Sequence, residues 1–157
     1  VFTMKKHEFR STCAIAVSVD LLGDKWSILI LRDMLLHRKS TFKEFLDAKE
    51  KISTNILTNK LQFLLQSGFI EKLDPNGTKK STRYIATRKG ICVLPLIIEL
   101  YLLSIDSLDE SVFNASQLAI KAEIKANRAL FESGRREKYI AFLEDLQAHL
   151  KKQKSLS

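Results

Sequence analysis

STNILTNKLQFLLQSG, residues 53 to 68, reads as one helix with two unlike faces. Ile56, Leu57, Leu61, Leu64 and Leu65 recur at helical spacing and make an apolar stripe. The other face carries Thr54, Asn55, Thr58, Asn59 and Gln62, with Lys60 as its single charge. Gly68 stands where a helix C-terminus takes a left-handed residue. Amides and hydroxyls are the groups that can pair with base edges in a major groove, and Asn can pair bidentately with adenine. A merely solvated polar face is the commoner source of such a pattern, so the flanking sequence has to decide.

On the N-terminal side, Lys49 to Ile52 is short enough for a tight turn. Before it, Thr41 and Glu44 have capping-box spacing, and Phe42, Phe45 and Leu46 form the apolar side of a short helix. Two short helices joined by a turn make a helix-turn-helix. On the C-terminal side, Phe69 to Leu73 reads as a strand, Asp74-Pro75-Asn76-Gly77 as a turn, and Thr82 to Ala86 as the returning strand. Lys79, Lys80 and Arg83 lie in or beside that hairpin loop. Such a wing can set cations on phosphates or in a minor groove.

Residues 1–12 are expected to form an arm, with Ser11 or Thr12 capping a helix from Cys13 to Leu22 that Gly23-Asp24 ends. Lys25 to Leu36 is apolar nearly all round, as a buried central helix would be, with Trp26 as a core anchor. A further helix begins near Arg88 and runs to Asp106, its start delayed or kinked by Pro95. Residues 107–114 read as a linker, and 115–132 and 135–152 as two helices parted near Ser133-Gly134. The first carries a stripe of Ala119, Ala122, Ala126, Ala129 and Leu130; the second carries Tyr139, Phe142, Leu143, Leu146 and Leu150. The expected fold is therefore mainly α with a small β-wing. It comprises a winged helix-turn-helix domain over 13–106 and a C-terminal helical extension over 107–157 for packing or dimerisation.

Charge agrees with a polyanionic partner. Residues 49–90 hold nine Lys/Arg against three acids, a net of +6 out of the chain's +8. Double-stranded DNA is the partner this predicts. No metal or cofactor is expected: His7, His37 and His149 are scattered, and five glycines supply no phosphate-cradling loop. An enzyme is disfavoured on the same grounds. The longest apolar run, Ile91 to Ile105, is interrupted by Pro95 and Glu99 and is too short for a membrane span. With no signal-peptide pattern either, a cytoplasmic protein is expected, Met4 being a candidate start. Cys92 falls in an apolar stripe and reads as core. Cys13 leaves two readings open: an inert thiol packed at a helix start, or a redox sensor activated there as thiolate.

The ordered set Cys13, LLGDKWSILILRDMLL (21–36), Phe42-Lys43-Glu44-Phe45, ISTNILTNKL (52–61), LQSGFI (65–70) and YIATRKG (84–90) resembles the HxlR family of bacterial winged helix-turn-helix regulators. The likeness covers about residues 13 to 105. It departs at Ala14, where relatives usually carry Pro, and it does not reach the tail. The resemblance implies a homodimeric DNA-binding regulator, with the Ser53 helix in the major groove and the first helix pairing with the C-terminal helix across a two-fold. It also places Cys13 where some relatives use a cysteine as a thiol switch. Two-fold symmetry would call for an inverted-repeat operator read by Ser53, Thr54, Asn55, Thr58 and Asn59. Lys60, Lys79, Lys80 and Arg83 are the expected phosphate or minor-groove contacts. Two other readings remain: a winged-helix protein-interaction module that binds no DNA, and a regulator whose small-molecule effector sits near Trp26, Tyr101 and the 115–152 helices.

Overall fold

The structure, a computed structural model, describes residues 9–78 and 82–156. The chain runs α1 (Ala14–Leu22), α2 (Lys25–His37), α3 (Phe42–Leu46), α4 (Thr54–Gln66), β1 (Ile70–Lys72) and β2 (Tyr84–Ala86). It continues through α5 (Arg88–Ile91), α6 (Leu94–Ser107), α7 (Ala115–Ala126) and α8 (Arg128–Ser155). The fold is thus mainly α with one small antiparallel hairpin, as the sequence predicts.

Helix α2 is the centre. Its Leu31 and Met34 are fully buried, in one cluster with Phe45, Leu57, Leu64 and Ile98. Asp24 starts the helix by accepting the Trp26 and Ser27 N–H groups at 3.1 and 3.0 Å. Trp26 packs half-buried against this cluster.

The expected capping box opens α3. Glu44 Oε2 accepts the N–H groups of Ser40 and Thr41, both at 2.8 Å, while Thr41 Oγ1 accepts the Glu44 N–H. The turn that follows carries Lys51 at φ 58, and Ser53 Oγ caps α4 through the Ile56 N–H. Helix α4 ends at Gly68, whose φ of 73 is left-handed and costs a glycine nothing.

Strand β1 pairs with β2 in the register Ile70↔Ala86 and Lys72↔Tyr84. The sequence did not show what holds this wing to the helix-turn-helix. The Tyr84 N–H donates to Ser40 O at 2.6 Å, and Thr41 bridges Arg83. The Ser40-Thr41 segment before α3 therefore doubles as a sheet partner. At the wing's other end Gly90 sits against backbone: a Cβ there would lie 2.1 Å from Phe69 O.

Some expectations are corrected. Pro95 does delay a helix start, but by splitting the segment into α5 and α6. Cys92 falls in that break rather than in the apolar register of α6, and it is exposed rather than core. The stretch Arg88–Ser107 is long and apolar enough to cross a membrane by length and composition. Here Leu94, Ile97, Ile98 and Ile105 on it are buried in the protein core.

The break between the last two helices is at Asn127, not at Ser133-Gly134. Asn127 Oδ1 accepts the Leu130 N–H at 3.0 Å and so starts α8, whereas Ser133 bonds back to Leu130 O and stays helical. An interior glycine costs a helix only about 1 kcal/mol, which this long helix absorbs at Gly134. The alanine stripe of α7 faces solvent; Ile120 and Ile124 make its packing side. Tyr139 of α8 is 1% exposed within the same core cluster, and its hydroxyl accepts the Ala86 N–H of β2 at 2.8 Å. Burial pushes that phenol up to about 12.

Candidate nucleic-acid interface

Helix α4 buries one face and offers the other. Leu57, Leu61 and Leu64 are buried, while Ser53, Thr54, Asn55, Thr58, Asn59 and Gln62 are exposed. Ile56 was expected inside and is 38% exposed. Leu57 is the first residue of α4 to be covered. The Thr58 hydroxyl donates to Thr54 O at 2.9 Å. The free N–H groups of the first turn add a partial positive charge at the tip of this face.

The cations are less free than the sequence implied. Lys60 Nζ lies 3.2 Å from Asp24 Oδ1, which ties α4 to the start of α2. Arg83 Nη1 donates to Ser40 Oγ at 2.6 Å and helps hold the wing base. Lys79 and Lys80 lie outside the described residues. Another cation stands beside the wing that no sequence pattern announced: Lys154 Nζ, near the end of α8, is 3.1 Å from Asp74 Oδ1. With Lys151 and Lys152 it brings a basic helix end to the wing, 80 residues downstream of Asp74.

Behind the turn lies an ion-pair network. Arg32 donates to Asp33 Oδ1 through Nε and Nη2, and to Glu50 through Nη1 at 2.7 Å and Nη2 at 3.1 Å. Lys39 Nζ meets Asp33 Oδ2 at 2.7 Å. The network joins the end of α2, the strand-like Ser40 segment and the helix-turn-helix turn. The Arg32 hydrogen bonds hold the Glu50 carboxyl at about 2, below its ordinary 4.5. A depressed carboxylate contributes stability above its unfolded pKa and loses it as pH falls toward the folded one. The stability advantage of the native chain over Glu50→Gln is therefore expected to be full above pH 4.5 and to vanish toward pH 2. Urea unfolding of both proteins across that range measures it, and a constant difference would refute the linkage.

Cys13 is exposed at the N-cap of α1, and the N–H groups of Ala16 and Ile15 hold its thiol below the ordinary value. Of the cations near it in sequence, Arg10 pairs with Asp20, and Lys5 and Lys6 lie outside the described residues. Among the described residues no group of three or more His, Cys, Asp or Glu could hold a metal.

A short helix, a turn, an amide-bearing second helix and a wing braced to both define a winged helix-turn-helix protein. The comparisons agree. The family of HxlR-like helix-turn-helix proteins matches residues 21–111, and the chain belongs to that family. It is a transcriptional regulator, not an enzyme. Over 106 residues it is 33% identical to an uncharacterized HTH-type transcriptional regulator of Synechocystis sp., covering 68% of this chain and 78% of that one. The crystal structure of PA1607, assigned as a transcription factor, superposes with a TM-score of 0.56 at 28% identity, covering 64% of this chain and 68% of the other. A MarR-family regulator from Porphyromonas gingivalis W83 gives 0.53 at 26%, over 62% and 95%.

Proposed function

We propose that this regulator binds DNA as a homodimer, reading an inverted repeat with the outer face of α4. The carrying observation is that Asn55, Thr58 and Asn59 stand exposed on a helix fixed by a buried Leu57-Leu61-Leu64 stripe. A rigid helix with free amides and few charges is equipped to read base edges. Ser53 and Thr54 at its N-terminus would meet phosphate. Lys60 and Arg83 position α4 and the wing, and would reach phosphate only by leaving Asp24 and Ser40. Lys79, Lys80 and the Lys151-Lys152 pair would supply counterion-releasing contacts from the wing side.

The dimer reading rests on a second surface. Ile15 and Val19 of α1 and Leu96 and Leu103 of α6 are 76%, 57%, 42% and 66% exposed. Between these helices runs an apolar groove of about 390 Å³ lined by Ile15, Val19, Leu96 and Leu100. An apolar patch of this kind marks an association site. Selection from a pool of genomic fragments at two salt concentrations tests the whole reading. An enriched inverted repeat, with half-sites about 34–36 Å apart and affinity falling steeply with salt, is expected. Salt-insensitive binding, or none at low salt, would overturn it.

A further inference from the structure

A cavity of about 590 Å³ lies between α2, α6, α7 and α8. The family match ends at residue 111, so the two helices that close the cavity lie beyond it. Its volume is in the range of small-molecule sites, roughly 300–1,000 Å³. The expected effector site near Tyr101 and the C-terminal helices thus has a real volume, but Trp26 lies off it, in a separate crevice under α2.

The wall is mostly aliphatic and aromatic, with Ile98, Tyr101, Ile120, Ile124 and Phe131 among its residues. Its charged groups are unequal. Arg32 and Glu50 at one corner satisfy each other and Asp33, within the network that Lys39 completes. His37 is held below its ordinary value chiefly by burial. Arg135 differs. Its guanidinium lies over the Phe131 ring, 4.7 Å from the centroid, and its one ion pair among the described residues, to the exposed Glu123, is long at 3.4 Å. A guanidinium has five donors in a fork that fits a carboxylate. Arg135 thus brings spare donors and positive charge to an apolar chamber.

We propose that this cavity is an effector site for a small apolar monoanion, an aliphatic or aromatic carboxylate, whose head is received by Arg135. The occupied chamber acts on α4 through its Arg32–Glu50 corner, because Glu50 stands in the helix-turn-helix turn. A ligand shifts such an equilibrium only by binding two arrangements unequally, and a body pressing on that corner favours one placement of the turn. The binding site stands on the cavity alone; its regulatory consequence rests on the DNA-binding reading.

The test uses the full chain and displacement of anilinonaphthalene sulfonate by three compounds with one tail: decanoate, decanol and decyltrimethylammonium. Decanoate is expected to displace the dye at a concentration about tenfold lower than the other two, the gain of a charge-assisted pair. Arg135→Gln erases that preference. Arg136→Gln, whose guanidinium pairs with Glu132 on another face, keeps it. Ile120→Trp narrows the chamber and weakens all three compounds. Circular dichroism melting of each variant separates these effects from misfolding. Equal displacement by the three compounds, or a preference that survives Arg135→Gln, would overturn the site. Saturating decanoate is expected to change affinity for the selected operator several-fold; unchanged affinity would overturn the effector role. A chain that binds decanoate but no DNA would sink the DNA reading and the effector role with it, and leave the binding site standing.

Discussion

Tyr139→Ala lowers the unfolding free energy by about 3–5 kcal/mol, the range for removing a large buried aromatic side chain. The ring is 1% exposed in the common core and packs 6.0 Å from the Phe142 ring. Its loss also leaves the Ala86 N–H of the wing without its acceptor. Tyr139→Phe isolates that second part. It keeps the volume and strands one buried donor, which costs about 1–3 kcal/mol. Urea unfolding followed by circular dichroism measures both. The physical claim is that α8 belongs to the core of the winged domain. An alanine variant with an unchanged midpoint would show instead that α8 is an independent arm.

Asn59→Ala weakens binding to the selected operator by about 1–3 kcal/mol, the value of one good base pairing. Asn59 is exposed and mid-helix, and alanine is the better helix former. Folding is therefore not at stake, and any loss belongs to the interface. Affinity for unrelated DNA stays within twofold, since a base contact carries sequence information and a phosphate contact does not. Equal losses on both DNAs would make Asn59 a positioning residue. No loss on either would remove this face of α4 from the groove. Fluorescence anisotropy on the operator and on a scrambled duplex reads the two numbers together.

These two residues show where a sequence is legible. The polar face of α4 follows from helical spacing, and Asn59 could be placed on it with no structure. The contact made by Tyr139 could not, because its partner is 53 residues away. The same division holds elsewhere. The Thr41–Glu44 box and the left-handed Gly68 are local, and both stand where the sequence put them. The break at Asn127 was misplaced because Ser-Gly is a stronger composition signal than a lone Asn. What decided it was a hydrogen bond over three residues. Lys60 and Arg83 looked free because their partners, Asp24 and Ser40, are remote in sequence.

By itself the sequence determined the class of this protein. Helix periodicity, caps, turn residues and a concentration of charge are short-range properties, and they suffice for a helix-turn-helix with a wing. Tertiary structure alone decided how that domain is braced and what it encloses. The Ser40 segment became a sheet partner, and Arg32 joined Glu50 across 18 residues. The C-terminal helices closed a cavity over α2 and α6. Such contacts depend on where chain segments meet in space, and their energies come from burial and charge pairing that no local pattern encodes.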